Sequence, residues 1–378
     1  VDFTFTEEQQ AAAEAAAAVF ADTAPDVVPS PALVSGAVAD DFDRALWSRL
    51  AAADLLGLVL AEEHGGAGLG ATALCLVLRE AGRVLARVPL LEHCATAAAL
   101  QAHAGPELAA ALLPGAGAGR PVLTAAAHGR TGHDPAELAV TARRDGADWL
   151  LDGMQTAVPW AHGADWIAVP AHTGGGEAVL ALVPRGAPGL ALADQFSTSG
   201  ERLAELTLNG VRVPAAHLIQ APQAWERLRG LLTLGTCALA LGAGSAVLGM
   251  TSRYTAQREQ FGFPVATFQA VAVQAADRYV DLRAMEAVLW QAAWRLDADG
   301  AGGPLPAAGD LAVAKIWASE GVRRIVQTAQ HLHGGLGADT GYPLHRYHAW
   351  AKQLELQLGP AAAHEQELGD LLAAHPLS

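Results

Sequence analysis

Two stretches of the chain concentrate side chains able to do chemistry. The first runs Tyr254-x-x-x-Arg258-Glu259-Gln260-Phe261-Gly262-x-Pro264-x-x-x-Phe268-Gln269. The second is His331-Leu332-His333-Gly334-Gly335-Leu336-Gly337, continuing to Tyr342-Pro343-Leu344-His345-Arg346. An arginine is a planar, permanently charged donor suited to an anion. A Gln amide both donates and accepts, and glycines let backbone come close to a ligand. Taken singly, Arg258 reads as a surface helix charge and the glycines as a helix cap. The pairs His331/His333 and His345/His348 suggest a metal, but no third ligand type stands at a suitable spacing, so packing and hydrogen bonding explain them more simply. The run Pro114-Gly115-Ala116-Gly117-Ala118-Gly119 imitates a dinucleotide loop. No strand precedes it and the G-x-G-x-x-G spacing is absent, so it reads as a linker. Cys75, Cys94 and Cys237 are far apart and odd in number, which gives neither a disulfide framework nor a metal pair.

The elements that must position these residues change character along the chain. Residues 1–118 read as a helical domain: Thr6-x-x-Gln9 is a capping box, 43–56 is an amphipathic run ending at Gly57, and a Gly-rich turn at Glu63-x-Gly65-Gly66-x-Gly68 precedes a further Ala/Leu helix. From 119 to 222 short β-type runs appear at 121–124, 138–143, 149–151, 166–170, 178–183, 203–208 and 211–213. Turns such as Asp152-Gly153 and Asn209-Gly210 separate them, which predicts an antiparallel β domain. Residues 223–378 return to helix. Val271, Ala275, Tyr279, Leu282, Met285, Leu289, Ala292 and Leu296 keep helical spacing, a Gly/Pro loop at 299–306 follows, and helices at 309–333 and from Pro343 complete a four-helix bundle with 231–250.

The bulk numbers set limits. The 378 residues allow two to three domains. With 52% hydrophobic and 17% charged residues a large core can form, and a net charge of −15 argues against wrapping nucleic acid. Residues 231–250 carry no charge, the nominal length of a membrane span, yet their four glycines, Thr233, Thr236 and Ser245 favour a tightly packed core helix over a membrane span. The stretch Val1-Asp2-Phe3-Thr4-Phe5-Thr6-Glu7-Glu8 has no basic n-region or apolar h-region, so a cytoplasmic chain is expected.

This block order, together with the two motifs, resembles the acyl-CoA dehydrogenase family over essentially the whole chain. The resemblance implies an α+β fold of N-terminal helices, a middle antiparallel β domain and a C-terminal four-helix bundle. It also implies FAD as cofactor and the removal of hydrogen from Cα and Cβ of an acyl-CoA thioester, with a carboxylate taking the proton and FAD N5 the hydride. Arg258, Phe261, Phe268, Gln269, His331, Gly334, Gly335 and Gly337 match family positions that reach the FAD held by a neighbouring subunit. Arg258 suits its pyrophosphate and the glycines its adenosine end. His331 stands where the family has Gln, with Gln330 beside it.

Other family positions are altered. The base is expected just before Gly359, where Leu358 stands, or 26 residues before the motif arginine, where Leu232 stands. The Arg that usually follows the second base position is Thr233. Glu355, three residues before Leu358, should face elsewhere on its helix, and no register places Glu226 or Asp339 at the acyl chain. Thr124-Ala125-Ala126-Ala127-His128-Gly129-Arg130-Thr131 replaces a T-E-P-x-A-G-S-D-like segment, and Ala157-Val158-Pro159-Trp160 replaces W-I-T-N over the flavin ring. Groups serving the chain's own flavin are lost while those reaching a neighbour's remain. That pattern resembles the non-catalytic subunit of α2β2 acyl-CoA dehydrogenases, as used by actinobacteria on steroid-CoA side chains. It implies a homologous partner subunit and an electron-transfer flavoprotein as acceptor, with no metal, nucleic acid or membrane. The alternatives are a flavin-dependent monooxygenase on the same fold, a homotetrameric dehydrogenase using Glu355, and a structural subunit without flavin contact.

Overall fold

The computed structural model describes residues 4–23, 25, 31, 34–39, 41–132, 137–298 and 300–376. The N-terminal residues Val1 to Phe3 and position 299 of the expected Gly/Pro loop therefore lie outside the described residues. Five helices come first: α1 (Glu7–Phe20), α2 (Arg44–Ala52), α3 (Ala71–Arg83), α4 (Leu90–His103) and α5 (Pro106–Ala116). The capping box holds: Thr6 Oγ1 accepts from Gln9 N at 3.3 Å, and the Gln9 amide oxygen accepts from Thr6 N at 3.0 Å. Asp43 caps α2 by accepting from Leu46 N. That helix stops at Ala52 rather than at residue 56, because Asp54 adopts a left-handed φ of +56°. The Gly-rich run 114–119 is not wholly linker, since its first three residues are the last turn of α5.

The middle of the chain forms one sheet from β1 (Leu123–Ala125), β2 (Val140–Asp145), β3 (Asp148–Pro159), β4 (Trp166–His172), β5 (Ala178–Pro184), β6 (Leu190–Phe196), β7 (Arg202–Pro214) and β8 (Leu218–Ile219). The order is β6-β7-β3-β2-β4-β5-β8, with β1 also paired to β4. Most pairs are antiparallel, but β4 takes β1 and β2 as parallel neighbours. Asp152-Gly153 and Asn209-Gly210 are not turns. They lie inside β3 and β7, where the register slips between Leu151 and Gly153, and Asp152 Oδ1 accepts from Gly210 N at 2.7 Å. Turn-type residues here make a bulge that bends two long strands.

After the sheet come α6 (Pro222–Gln257), the two-residue strands β9 (Glu259–Gln260) and β10 (Phe263–Pro264), then α7 (Gln269–Asp297), α8 (Ala307–His333), α9 (Leu344–Leu356) and α10 (Ala361–Ala374). The four expected helices are α6 to α9, and α10 is an additional one packed on α8. At 36 residues α6 is about 54 Å long. It is long and apolar enough to cross a membrane, yet 78% of its most apolar stretch is buried in protein. Its small residues have a packing reason: a Cβ on Gly242 would meet Arg79 O at 2.1 Å, and one on Gly82 would meet Leu239 O at 2.3 Å. The backbones of α3 and α6 thus touch.

Side chains from the later helices tie the two helical blocks together. Gly70 cannot cap α3, so Asp297 at the end of α7 does, accepting from Ala71 N at 2.5 Å, Thr72 N at 3.1 Å and the Thr72 hydroxyl at 2.6 Å. Buried Arg295 pairs with Asp310 at 2.8 Å and donates to the carbonyls of Gly300 and Leu305. Toward the sheet, His93 bridges α5 and β1. Its Nε2–H donates to Ala116 O, and Nδ1 accepts from Leu123 N.

Candidate functional site

Arg258 ends α6. Its backbone N–H donates to Tyr254 O and its carbonyl accepts from Val265 N, both at 2.8 Å, so its Cα is held from both sides. Its side chain is exposed, with no hydrogen bond or ion pair to any described residue. Phe261 and Gly262 have φ of +55° and +83° and form the tight turn joining β9 to β10. That turn thrusts Phe261 out to 91% exposure, edge-on to Phe268 at 6.3 Å. Gln269 is the exposed first residue of α7. Phe263, Val273, Tyr279 and Val280 are also exposed, so the hairpin and the first half of α7 present an apolar face around one free guanidinium.

The second motif closes α8. Gly334 follows with φ +59° and ψ −136°, and a Cβ on Gly334 or Gly335 would meet nothing within 4 Å. Backbone is therefore open to an approaching ligand at both positions. Gly337 is different: it packs against the Gln330 side chain. The Gln330 amide, oriented with its nitrogen donating to Gly337 O and its oxygen accepting from Ala338 N, is spent on the turn, while His331 is exposed beside it. The structure brings the two motifs together through His333. Its ring stacks on Tyr254 at 4.4 Å and 16°, and both its nitrogens are engaged within the protein.

The expected base positions hold no titratable group. Leu358 is 1% exposed, in a left-handed turn with φ +58° ahead of Gly359 at +97°, and its carbonyl accepts from His364 Nε2. Leu232 is buried within α6 at 3% exposure. Glu355 faces α8, pairing with Lys352 at 3.1 Å on the wall of a cavity of about 500 Å3 shared with Arg323, His345 and His348. Glu226 and Asp339 are on the surface. Lys315 was not legible as special in the sequence. It is fully buried and donates to Ser319 Oγ and to the carbonyls of Leu354 and Glu355, and burial pulls its pKa down to about 8. Its place on the inward stripe Ala312, Lys315, Ser319, Val322 was the available signal.

In the sheet, Ala157 and Trp160 adopt positive φ on either side of Val158 and Pro159. The Ala157 N–H donates to Gln195, and the Thr124 hydroxyl donates to Pro159 O. The adjoining cavity, of about 250 Å3, is lined by His128, Ala157, Pro159, Phe196 and Leu203, with Lys352 at its edge. Burial pushes the His128 pKa down to about 4. Thr198 and Lys352 line both this space and the cavity of about 500 Å3 beside Glu355. Trp160 turns inward instead, and its indole N–H donates to Glu92 at 3.0 Å. Burial, with the Glu201 carboxylate nearby, raises the Glu92 pKa to about 8. Between α4, Trp160, Trp350 and Gln357 only about 30 Å3 is left, room for a water or two. The Glu92–Trp160 contact had no local sequence signal, since 68 residues separate its members.

Two half-sites therefore differ in what they can take. The exposed guanidinium of Arg258, the exposed Gln269 amide and the open backbone at Gly334 and Gly335 fit the anionic diphosphate and adenosine end of a dinucleotide offered by a neighbouring molecule. Beside Ala157 and Pro159 the Ala157 N–H is already spent on Gln195 and the proline has none, so neither position offers a free backbone donor to a flavin ring.

Known proteins give the same picture of relationship. Residues 6–120 match the family described as "Acyl-CoA dehydrogenase, N-terminal domain", and 231–370 match "Acyl-CoA dehydrogenase, C-terminal domain". Acyl-CoA dehydrogenase FadE27 of Mycobacterium tuberculosis is 39% identical over 339 residues, covering 89% of this chain and 90% of the relative. The ChsE4-ChsE5 complex from Mycobacterium tuberculosis contains a chain that superposes with a TM-score of 0.89 at 36% identity, over 100% of both chains. A structure described as the Tcur3481-Tcur3483 steroid ACAD G363A variant gives a TM-score of 0.88 at 38% identity, over 97% of this chain and 98% of that one.

Proposed function

The chain belongs to the acyl-CoA dehydrogenase family, and we propose that it is the non-catalytic subunit of a heteromeric, FAD-dependent enzyme that introduces an α,β double bond into an acyl-CoA thioester. One observation carries this reading. The Arg258 half-site is open and charged, while the chain's own half-site has leucines at both base positions, Leu358 and Leu232, and no free backbone N–H at Ala157 or Pro159 to meet a flavin ring. A general base must lie within hydrogen-bonding reach of its proton. Glu355, the nearest carboxylate in sequence, is turned to the α8 side and held by Lys352.

FAD, when bound, supplies the hydride acceptor, and in this reading a homologous subunit carries both its ring and the base. This chain's residues bind and orient. Arg258 neutralises the diphosphate, Gln269 hydrogen-bonds, and the backbone at Gly334 and Gly335 lies against the adenosine end. His331 stands exposed at its edge, Gly337 shapes the turn, and Phe261 and Phe268 cover the cofactor from water. The exposed apolar face of the hairpin and α7 is the docking surface for that partner. The two-component ChsE4-ChsE5 complex and the Tcur3481-Tcur3483 steroid ACAD support, by analogy, a heteromeric assembly, which we take as α2β2, and a steroid-type acyl group. An electron-transfer flavoprotein is the acceptor this activity implies.

The test is flavin content. Purified alone, the chain is expected to be colourless. Co-purified with its partner, it is expected to carry about one FAD per pair of subunits. A full complement of tightly bound FAD in the isolated chain would overturn the reading.

A further inference from the structure

The geometry points to His333 as the positioning residue of the partner-facing half-site, a neutral imidazole whose fixed tautomer locks the glycine turn against the end of α6 and so sets the backbone at Gly334 and Gly335 relative to Arg258. The inference rests on the reading of that half-site given above.

Its tautomer follows from its partners. His333 is 3% exposed, and Nδ1 lies 2.8 Å from Ala329 O, a carbonyl that can only accept. Nδ1 therefore carries the proton. Nε2 is left as the acceptor for the Tyr342 hydroxyl at 3.1 Å. The ring face is used as well, stacked on Tyr254 at 4.4 Å with 16° between planes, and the Tyr254 hydroxyl donates to His333 O at 3.4 Å. Three segments, one of them 79 residues away in sequence, thus converge on one imidazole. They are α6 four residues before Arg258, the last turn of α8, and the loop at Tyr342.

The next residue is Gly334, with φ +59° and ψ −136°, so the chain turns immediately after the peptide whose carbonyl accepts from Tyr254. Nothing packs on the outer face of Gly334 or Gly335, so their placement depends on contacts made from behind. The stack of His333 on Tyr254 and the Tyr254 hydroxyl on His333 O tie this turn to the helix bearing Arg258. Burial holds its pKa below the usual histidine value, which keeps it neutral and keeps Nε2 an acceptor.

The experiment measures FAD affinity in the co-purified complex for wild type, Arg258→Ala, His333→Ala, His333→Phe, His333→Gln and Tyr342→Phe, together with assembly by sizing and turnover at saturating FAD. His333→Ala is expected to weaken FAD about tenfold, and Tyr342→Phe about threefold. His333→Phe keeps the stack on Tyr254 and loses both hydrogen bonds, so it falls between wild type and His333→Ala. His333→Gln restores a group able to accept from Tyr342 and recovers part of the loss. Turnover at saturating FAD stays near wild type throughout, which a general loss of structure would not allow. If His333→Ala and Tyr342→Phe keep wild-type FAD affinity while Arg258→Ala loses it, the positioning role is wrong and the half-site reading stands. If Arg258→Ala also leaves FAD unmoved, the half-site reading itself fails. Should His333→Ala not assemble, His333→Phe and Tyr342→Phe decide by the same criteria, since both preserve the packing.

Discussion

Arg258→Ala is the perturbation with the most direct consequence. In the isolated chain its guanidinium has no carboxylate or carbonyl partner among the described residues, so a diphosphate meets it without an existing ion pair having to break. Its Cα is fixed by the bonds to Tyr254 O and from Val265 N, which limits the freedom lost on binding. A charge-assisted hydrogen bond of this kind contributes about 1.5–3 kcal/mol. At about 1.4 kcal/mol per tenfold, that is roughly a ten- to hundredfold weaker hold on FAD. The assay is titration of the apo complex with FAD, followed by flavin fluorescence, with turnover recorded at low and at saturating cofactor. Activity should fall at low FAD and recover with excess, because no group near the substrate has changed. Arg258→Lys should rescue only part, since an ammonium cannot form the planar fork. Normal assembly with unchanged FAD affinity and full turnover would refute the reasoning and leave Arg258 a surface charge.

Two further outcomes follow from the buried side of the chain. Glu355→Gln should leave turnover of the complex within about threefold, because it removes only a partly exposed pair with Lys352; a hundredfold loss with FAD retained would identify Glu355 as the base. Glu92→Gln should gain stability relative to wild type as pH rises. The Glu92 carboxyl is raised to about 8 in the fold against 4.5 unfolded, so its contribution is fully present below about 4.5 and is lost as pH rises through 8. Gln keeps an oxygen for the Trp160 indole and carries no charge. Denaturant unfolding at pH 5 and pH 9 should therefore show a difference between variant and wild type that grows with pH by a few kcal/mol. A pH-independent difference would show that Glu92 is ionised in the fold at both.

Much of the architecture was legible because it depends on local chemistry. Thr6 with Gln9 and the uncharged run in α6 each state their structure within a few turns. Asp152-Gly153 and Asn209-Gly210 misled because the same dipeptides serve hairpin turns and bulges, and only the partner strand decides between them. The strand β6 was missed because it is half-exposed along its length and shows no clean alternation. At the candidate site, Arg258, Phe261 and Gly334 stand out in the sequence because they fall in compact runs. The contacts that organise them do not. Tyr254 and His333 are 79 residues apart, and the pairing of Glu92 with Trp160 joins a helix to the end of a strand.

The backbone at Leu358 is held without help from its side chain. A leucine held at φ +58° is uncommon, and that conformation persists here where no carboxylate remains to justify it. It is held by the His364 bond to the Leu358 carbonyl and, a few residues earlier, by Lys315 on the last carbonyls of α9. None of those contacts involves the side chain at 358. A carboxylate there would have to be desolvated among apolar neighbours, whereas leucine packs with no such cost. In the proposed reading, where a neighbouring subunit supplies the base, none of these contacts opposes leucine at 358. In the proposed reading, the partner-facing half-site is under the opposite constraint. Arg258 and the turn after His333 contribute little to the core of this chain, so their cost and benefit are felt only when a neighbour's cofactor is bound against them.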